Sequence, residues 1–183
     1  DKRVQQPAFK ADYNIVKGWA GDYFDMSTQS LQKLTYTNEK LSAGITEFLA
    51  TTNSTFTIPN TATTLSFTGD SLNAQLEVYT EGAGLNTYKK LSKYLLSVPE
   101  LEEFKGDFYS SELDTKYTVY IKDNILQLKR PRYDDIKVEP LLKDIFTGNF
   151  IIRFQRNKKD KIEGFFLSAG RVRNLYFEKV LPK

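Results

Sequence analysis

Histidine and cysteine are both absent from the 183-residue sequence. Without histidine the chain lacks the usual general base, the commonest zinc ligand and the usual partner of a serine or cysteine nucleophile. Without cysteine it has no disulfide framework and no thiol chemistry. Any reaction would have to use Asp or Glu pairs, Lys or Tyr. The net charge is only +3, a slight excess and not the basic face that nucleic acid selects, so no nucleic-acid partner is expected. No apolar run approaches the length of a membrane helix, so no transmembrane segment is expected. The sequence opens on Asp1, with neither an initiator Met nor a signal peptide, and the expectation is a processed chain or an excised fragment.

What is abundant is aromatic. Eleven Tyr and thirteen Phe stand against one Trp and one Met, and Tyr and Phe favour pleated, half-buried surfaces. A chain of this length suits one large domain or two small ones and buries roughly two-thirds of its unfolded surface. Residues 1–12 are polar, are interrupted by Pro7, and read as a tail. A first β module is expected over 13–91, a partly helical linker over 92–103 and a second β module over 104–183. Within the first, Leu34, Tyr36 and Leu41 flank an Asn38-Glu39 turn. Thr55 to Ile58 form a short strand, and Leu65 and Phe67 join Leu72, Leu76 and Val78 through Gly69-Asp70-Ser71. Leu91, Tyr94, Leu95 and Val98 have helical spacing, so a helix is expected from Leu91 towards Phe104, stopped or bent at Pro99. In the second module Tyr117, Val119 and Ile121 alternate, Lys122-Asp123-Asn124 turns, and Leu126 and Leu128 return. Many short strands joined by tight turns predict a mainly β fold, a meander curled into small antiparallel barrels or half-barrels.

The two modules read as one unit made twice. Trp19-Ala20-Gly21-Asp22-Tyr23-Phe24 matches Phe104-Lys105-Gly106-Asp107-Phe108-Tyr109 at an offset of 85, which Tyr36 and Ile121, and Leu41 and Leu126, preserve. Phe67 and Phe154 differ by 87, and Asn86-Thr87-Tyr88 and Asn174-Leu175-Tyr176 by 88. Such a drift is what loop insertions produce within a repeat.

Candidate chemistry is sparse. Ser30-Leu31-Gln32-Lys33 and Tyr36-Thr37-Asn38 fit the S-x-x-K and Y-x-N motifs of penicillin-recognising serine hydrolases. They lie in a strand-like stretch, however, whereas S-x-x-K needs a helix start to bring Ser and Lys to one face. No catalytic residue is assigned, and no metal or cofactor is expected. Asp22 and Asp107 beside their glycines are expected to cap turns, and Asp134-Asp135 to lie in an exposed loop. The binding candidates are Arg171 and Arg173, co-facial if the segment is extended, together with Arg130, Arg132 and Lys129, as a basic mouth for an anionic ligand. A second candidate is an aromatic-lined interior for a small apolar ligand, although barrels this small are expected to be filled by side chains.

Phe104-x-Gly-Asp-Phe-Tyr-Ser-Ser-Glu-Leu-Asp114, Pro131-Arg132, Glu139-Pro140-Leu141, Asp144-x-Phe146, Phe154-x-Arg156 and Gly164-Phe-x-Leu-Ser-x-Gly-Arg-Val-Arg-Asn-Leu-x-Phe177 together resemble the C-terminal extension of bacterial beta-lactamase-family serine hydrolases, the class C-like relatives of penicillin-binding proteins. The resemblance implies tandem lipocalin-like β modules that act as a non-catalytic accessory region. Their partner would be the catalytic domain of the same polypeptide, in the periplasm or at the cell surface. It transfers no catalytic residue. The alternative is a lipocalin-like binder of a small apolar or anionic ligand.

Overall fold

A computed structural model describes residues 9–181, so the expected tail falls outside the described residues over 1–8. The chain divides between Ser92 and Lys93 into two units. Both are mainly β, and their strands pair antiparallel. Among the described residues no helix is long and apolar enough to cross a membrane.

The first unit runs through α1 (Tyr13–Gly18), β1 (Gly21–Asp25), β2 (Ser30–Thr37), β3 (Lys40–Ala43), β4 (Thr46–Glu47), β5 (Leu49–Ala50), β6 (Thr55–Thr57), β7 (Thr63–Thr68), β8 (Gln75–Thr80) and β9 (Gly84–Lys90). Its sheet has the order β4-β3-β2-β1-β9-β8-β7-β6-β5. The two ends of that order are neighbours in sequence, separated only by Phe48, whose N–H donates to Leu41 O at 2.9 Å. β4 and β5 therefore act as one interrupted strand, and the sheet is a nearly closed barrel. Asn38 and Glu39 both take positive φ (52° and 62°), as the tight two-residue hairpin turn requires. The core gathers on Phe67. Trp19 stacks on it at 5.1 Å, and Tyr23 and Phe56 meet it edge-on at 5.9 and 5.6 Å. The Tyr23 hydroxyl, fully buried, donates to Trp19 O at 2.9 Å, and burial pushes its pKa far up.

The second unit runs through α2 (Val98–Glu102), β10 (Gly106–Ser110), β11 (Thr115–Lys122), β12 (Ile125–Lys129), β13 (Ile136–Leu142), β14 (Ile145–Thr147), β15 (Ile151–Arg156), β16 (Ile162–Ala169) and β17 (Val172–Val180). Each strand pairs with the next, and β17 returns to β10, with Asp107 opposite Val180 and Tyr109 opposite Glu178. The barrel is closed, which leaves no free sheet edge. Its interior is a chain of rings. Tyr117 stacks on Phe177 at 4.6 Å, Phe177 on Phe165 at 4.8 Å, and Phe165 leads through Phe154 to Phe146 and Phe104.

The fold is mainly β, two tandem small barrels, and the two units repeat the same connectivity. α1 and α2 each precede a first strand, and the joined pair β4–β5 stands where β13 stands. The repeat includes one local device. Gly21 and Gly106 take φ of 140° and 147°, and a Cβ there would meet Lys90 Cε at 2.7 Å and Lys179 Cε at 2.8 Å. Lys90 Nζ donates to Gly18 O at 2.6 Å and lies 5.8 Å from the Tyr23 ring. Lys179 Nζ reaches Glu103 O at 3.4 Å and lies 5.7 Å from the Phe108 ring. Desolvation lowers both lysine pKa values. Gly106→Ala is expected to cost about 1–3 kcal/mol, because φ near 147° strains any residue with a Cβ. Lys179→Met should not rescue it: a flexible lysine tip can move aside, but the backbone angle stays. Thermal melts of the single and double variants check this.

Several expectations require correction. The stretch from Leu91 to Ser97 is not helical, and α2 begins only at Val98. Pro99 opens the helix instead of ending it, since a residue without N–H is harmless in a first turn. The Glu100 carboxylate accepts from Ser97 N at 2.7 Å and fixes that start. α1 was not foreseen; Asp12 caps it by accepting from Asn14 N at 2.8 Å. Leu72 belongs to a loop and is 74% exposed, because Asp70 accepts from Leu72 N and Asn73 N and curls the chain there. Asp107 caps no turn. It reaches across to β11, accepting from Thr118 Oγ1 at 2.6 Å and pairing with Lys116 Nζ at 3.0 Å. The turn role belongs to Asp25, which accepts from Ser27 N and Thr28 N.

Candidate functional site

Strand direction alternates around each barrel, so connections fall at its two ends in turn. In the second barrel this places the 130–135 loop between β12 and β13, and the Gly170-Arg171 turn between β16 and β17, at the end away from α2. Arg130, Arg132, Arg171 and Arg173 thus share one rim. They do not form the expected strand-borne pair. Arg171 is a turn residue, and the β16–β17 pairing shifts between Leu167 and Ala169 beside a positive-φ Asn174, so a bulge breaks the alternation. Arg130 donates to Asp134 O at 3.3 Å and lies 5.0 Å from the Tyr133 ring. Arg132 is an exposed turn residue with φ of 65°. Carboxylates share the rim: Tyr109 Oη donates to Asp114 at 2.7 Å, and Tyr120 Oη donates to Asp135. Each interaction holds that tyrosine's pKa up, through the hydrogen bond first and desolvation second. The rim is of mixed charge.

The other end of the same barrel carries a cluster that sequence reading missed. Arg156, from the end of β15, donates through Nε to both Asp144 oxygens at 3.0 Å and through Nη1 to Glu103 Oε2 at 2.8 Å and Asp160 O at 2.9 Å. Nη2 pairs with Asp144 Oδ1 at 2.9 Å, and the guanidinium lies 5.6 Å from the Phe104 ring. A cleft of about 200 Å³ opens beside it, walled by Tyr94, Leu96, Glu100 and Lys143. The arginine is already satisfied by protein oxygens, so it ties α2 to the turns after β13 and β15 and does not await an anion. Asp160 is local, but the carboxylates of Asp144 and Glu103 lie 12 and 53 residues away, beyond any local motif.

The S-x-x-K residues do not assemble. Ser30 and Lys33 are three apart on β2 and point to opposite faces. Ser30 Oγ hydrogen-bonds Thr28 Oγ1 at 2.6 Å, and Tyr36 packs edge-on against Tyr13 at 5.6 Å. Among the described residues no group of three or more His, Cys, Asp or Glu could hold a metal ion.

The first barrel differs from the second in its filling. At the end away from α1 it holds a half-open cavity of about 160 Å³, walled chiefly by Leu34, Phe48, Leu65, Leu76 and Val78, with Gln32 and Thr46 as its polar side chains.

No family model matches the chain, and no curated protein does. Among solved structures it is similar to one described as "Crystal structure of SurE", with a TM-score of 0.39 and 11% identity over 64% of this chain and 34% of that one. The chain spans about a third of that protein, and a likeness at this score carries no argument about function.

Proposed function

We propose that this chain is a non-catalytic accessory region of a bacterial serine hydrolase related to beta-lactamases and penicillin-binding proteins, exported to the periplasm or cell surface. There its barrels pack on the catalytic domain of the same polypeptide or shape access to its substrate entrance. One observation carries the reading: the residues that bear the resemblance do packing work. Phe104, Phe146 and Phe154 form the ring cluster. Asp144 and Arg156 form the clamp, and Gly106 makes room for Lys179. Gly164 leaves space for Tyr176, whose hydroxyl would lie 2.4 Å from a Cβ there. Such a set specifies a scaffold and leaves chemistry to another domain. The purified chain is expected to give no turnover of nitrocefin or p-nitrophenyl acetate. Turnover abolished by Ser30→Ala would overturn the reading.

A further inference from the structure

The two barrels follow one register, so their interiors can be compared position by position. Gln32 faces Tyr23 as Tyr117 faces Phe108. Thr46 faces Ala43 as Ile136 faces Leu128. Leu76 faces Phe67 as Phe165 faces Phe154, and Val78 faces Leu65 as Leu167 faces Ile152. In each of these pairs the first barrel carries a smaller or more polar side chain at one or both places. Gln32 replaces Tyr117, Ala43 replaces Leu128, Thr46 replaces Ile136, Leu76 replaces Phe165 and Val78 replaces Leu167. Ala43, Thr46 and Val78 stand towards the end away from α1, Gln32 and Leu76 lie opposite Tyr23 and Phe67, and all five line the 160 Å³ cavity. Below it, the ring cluster of Trp19, Tyr23, Phe56 and Phe67 is intact.

We propose that this cavity is a binding site for a small, neutral, ring-sized apolar molecule carrying one hydrogen-bonding group, a phenol being the simplest member of the class. The volume sets the size: a cavity of about 150 Å³ lined by Leu, Ile and Phe stays dry and admits benzene. An acyl chain of membrane-lipid length does not fit. The lining sets the charge, because none of its residues is ionisable and an ion entering it would lose its hydration without gaining a partner. The polar side chains of Gln32 and Thr46 set the handle, one able to donate and accept through a carboxamide and the other through a hydroxyl. Two of the lining residues, Ala43 and Thr46, flank the β3–β4 turn, whose Ile45 is fully exposed at 101%. The site is independent of the accessory role and would survive its failure.

The test is a methyl and amide NMR titration of the whole chain with p-cresol. Saturable shifts are expected at Ala43, Leu65, Leu76 and Val78, with those of Leu128, Ile152 and Leu167 unmoved. Ala43→Leu installs the second barrel's residue and should weaken p-cresol binding at least tenfold without lowering Tm; Val78→Leu serves the same purpose if the first variant fails to fold. Shifts that stay linear to the solubility limit, that spread equally through the second barrel, or that persist unchanged in the filled variants would overturn the proposal. Displacement of p-cresol by equimolar hexadecanoate would overturn the size assignment.

Discussion

Phe154→Ala is expected to lower the stability of the second barrel by about 3–5 kcal/mol, read as a fall in the urea midpoint at unchanged slope. Phe154 is 4% exposed and touches four other rings: Phe104 at 4.8 Å, Phe146 at 5.4 Å, Phe165 at 5.5 Å and Phe108 at 6.0 Å. Truncation removes the transfer free energy of a whole ring and leaves a hole that a closed barrel cannot shrink to fill, because its strands are hydrogen-bonded on both sides. Edge-to-face contacts add about 0.5–1.5 kcal/mol per pair beyond burial. The matching residue of the first barrel, Phe67, meets three rings and not four, and the cavity above it already gives its neighbours room to relax. Phe67→Ala should therefore cost less than Phe154→Ala. Equal losses would mean that the filling of the two interiors does not govern their rigidity.

Local chemistry was the legible part of the sequence. Turn residues announced themselves: Asp123 and Asn124, like Asn38 and Glu39, take the positive φ that a two-residue hairpin turn demands. The Gly-Asp pair set the repeat at an offset of 85, and Val16 and Leu101, the buried residue of each short helix, preserve it. Legibility failed where a choice depended on one residue of register. Aligning Tyr88 with Tyr176 matches types but not faces. Pairing shows Leu76 opposite Tyr88 and Phe165 opposite Phe177, an offset of 89 in which both members point inward, and a slip by one residue turns a side chain to the other surface. The cavity was hidden for a related reason. Alternation tells which residues face inward, but their combined volume means something only after the two registers have been matched. The rim arginines were located by loop topology, which the strand pattern implied. Of the carboxylates on that rim, Asp135 shares the loop of Arg130 and Arg132, whereas Asp114 comes from a loop apart in sequence, which that pattern did not imply.

Arg156→Ala is expected to cost about 2–4 kcal/mol, the range for breaking a mostly buried ion pair, trimmed for partial exposure. The side chain is 15% exposed and that of Asp144 18%, while Glu103 and Asp160 stand at 52% and 77%, so most of the loss lies in the Asp144 fork and little in the outer pairs. The Asp144 hydrogen bonds, opposed by burial and helped by Glu103, hold the guanidinium pKa well above its ordinary value. The arginine therefore stays charged at any working pH, and its removal leaves a carboxylate uncompensated in a low-dielectric setting. Arg156→Met separates charge from cover: it keeps an apolar stem over Phe104 and should still destabilise, because Asp144 remains. In Asp144→Ala/Arg156→Met neither charge is stranded, and stability should return part of the way to the parent. Lysine is a poor substitute, since one ammonium cannot replace both the fork to Asp144 and the bonds to Glu103 and Asp160 O. Urea melts of these four variants in low and high salt decide the matter. A salt-insensitive loss shared equally by Arg156→Ala and Arg156→Met would assign it to the buried pair. A loss confined to Arg156→Ala would assign it to packing on Phe104, and the clamp would then be only a lid.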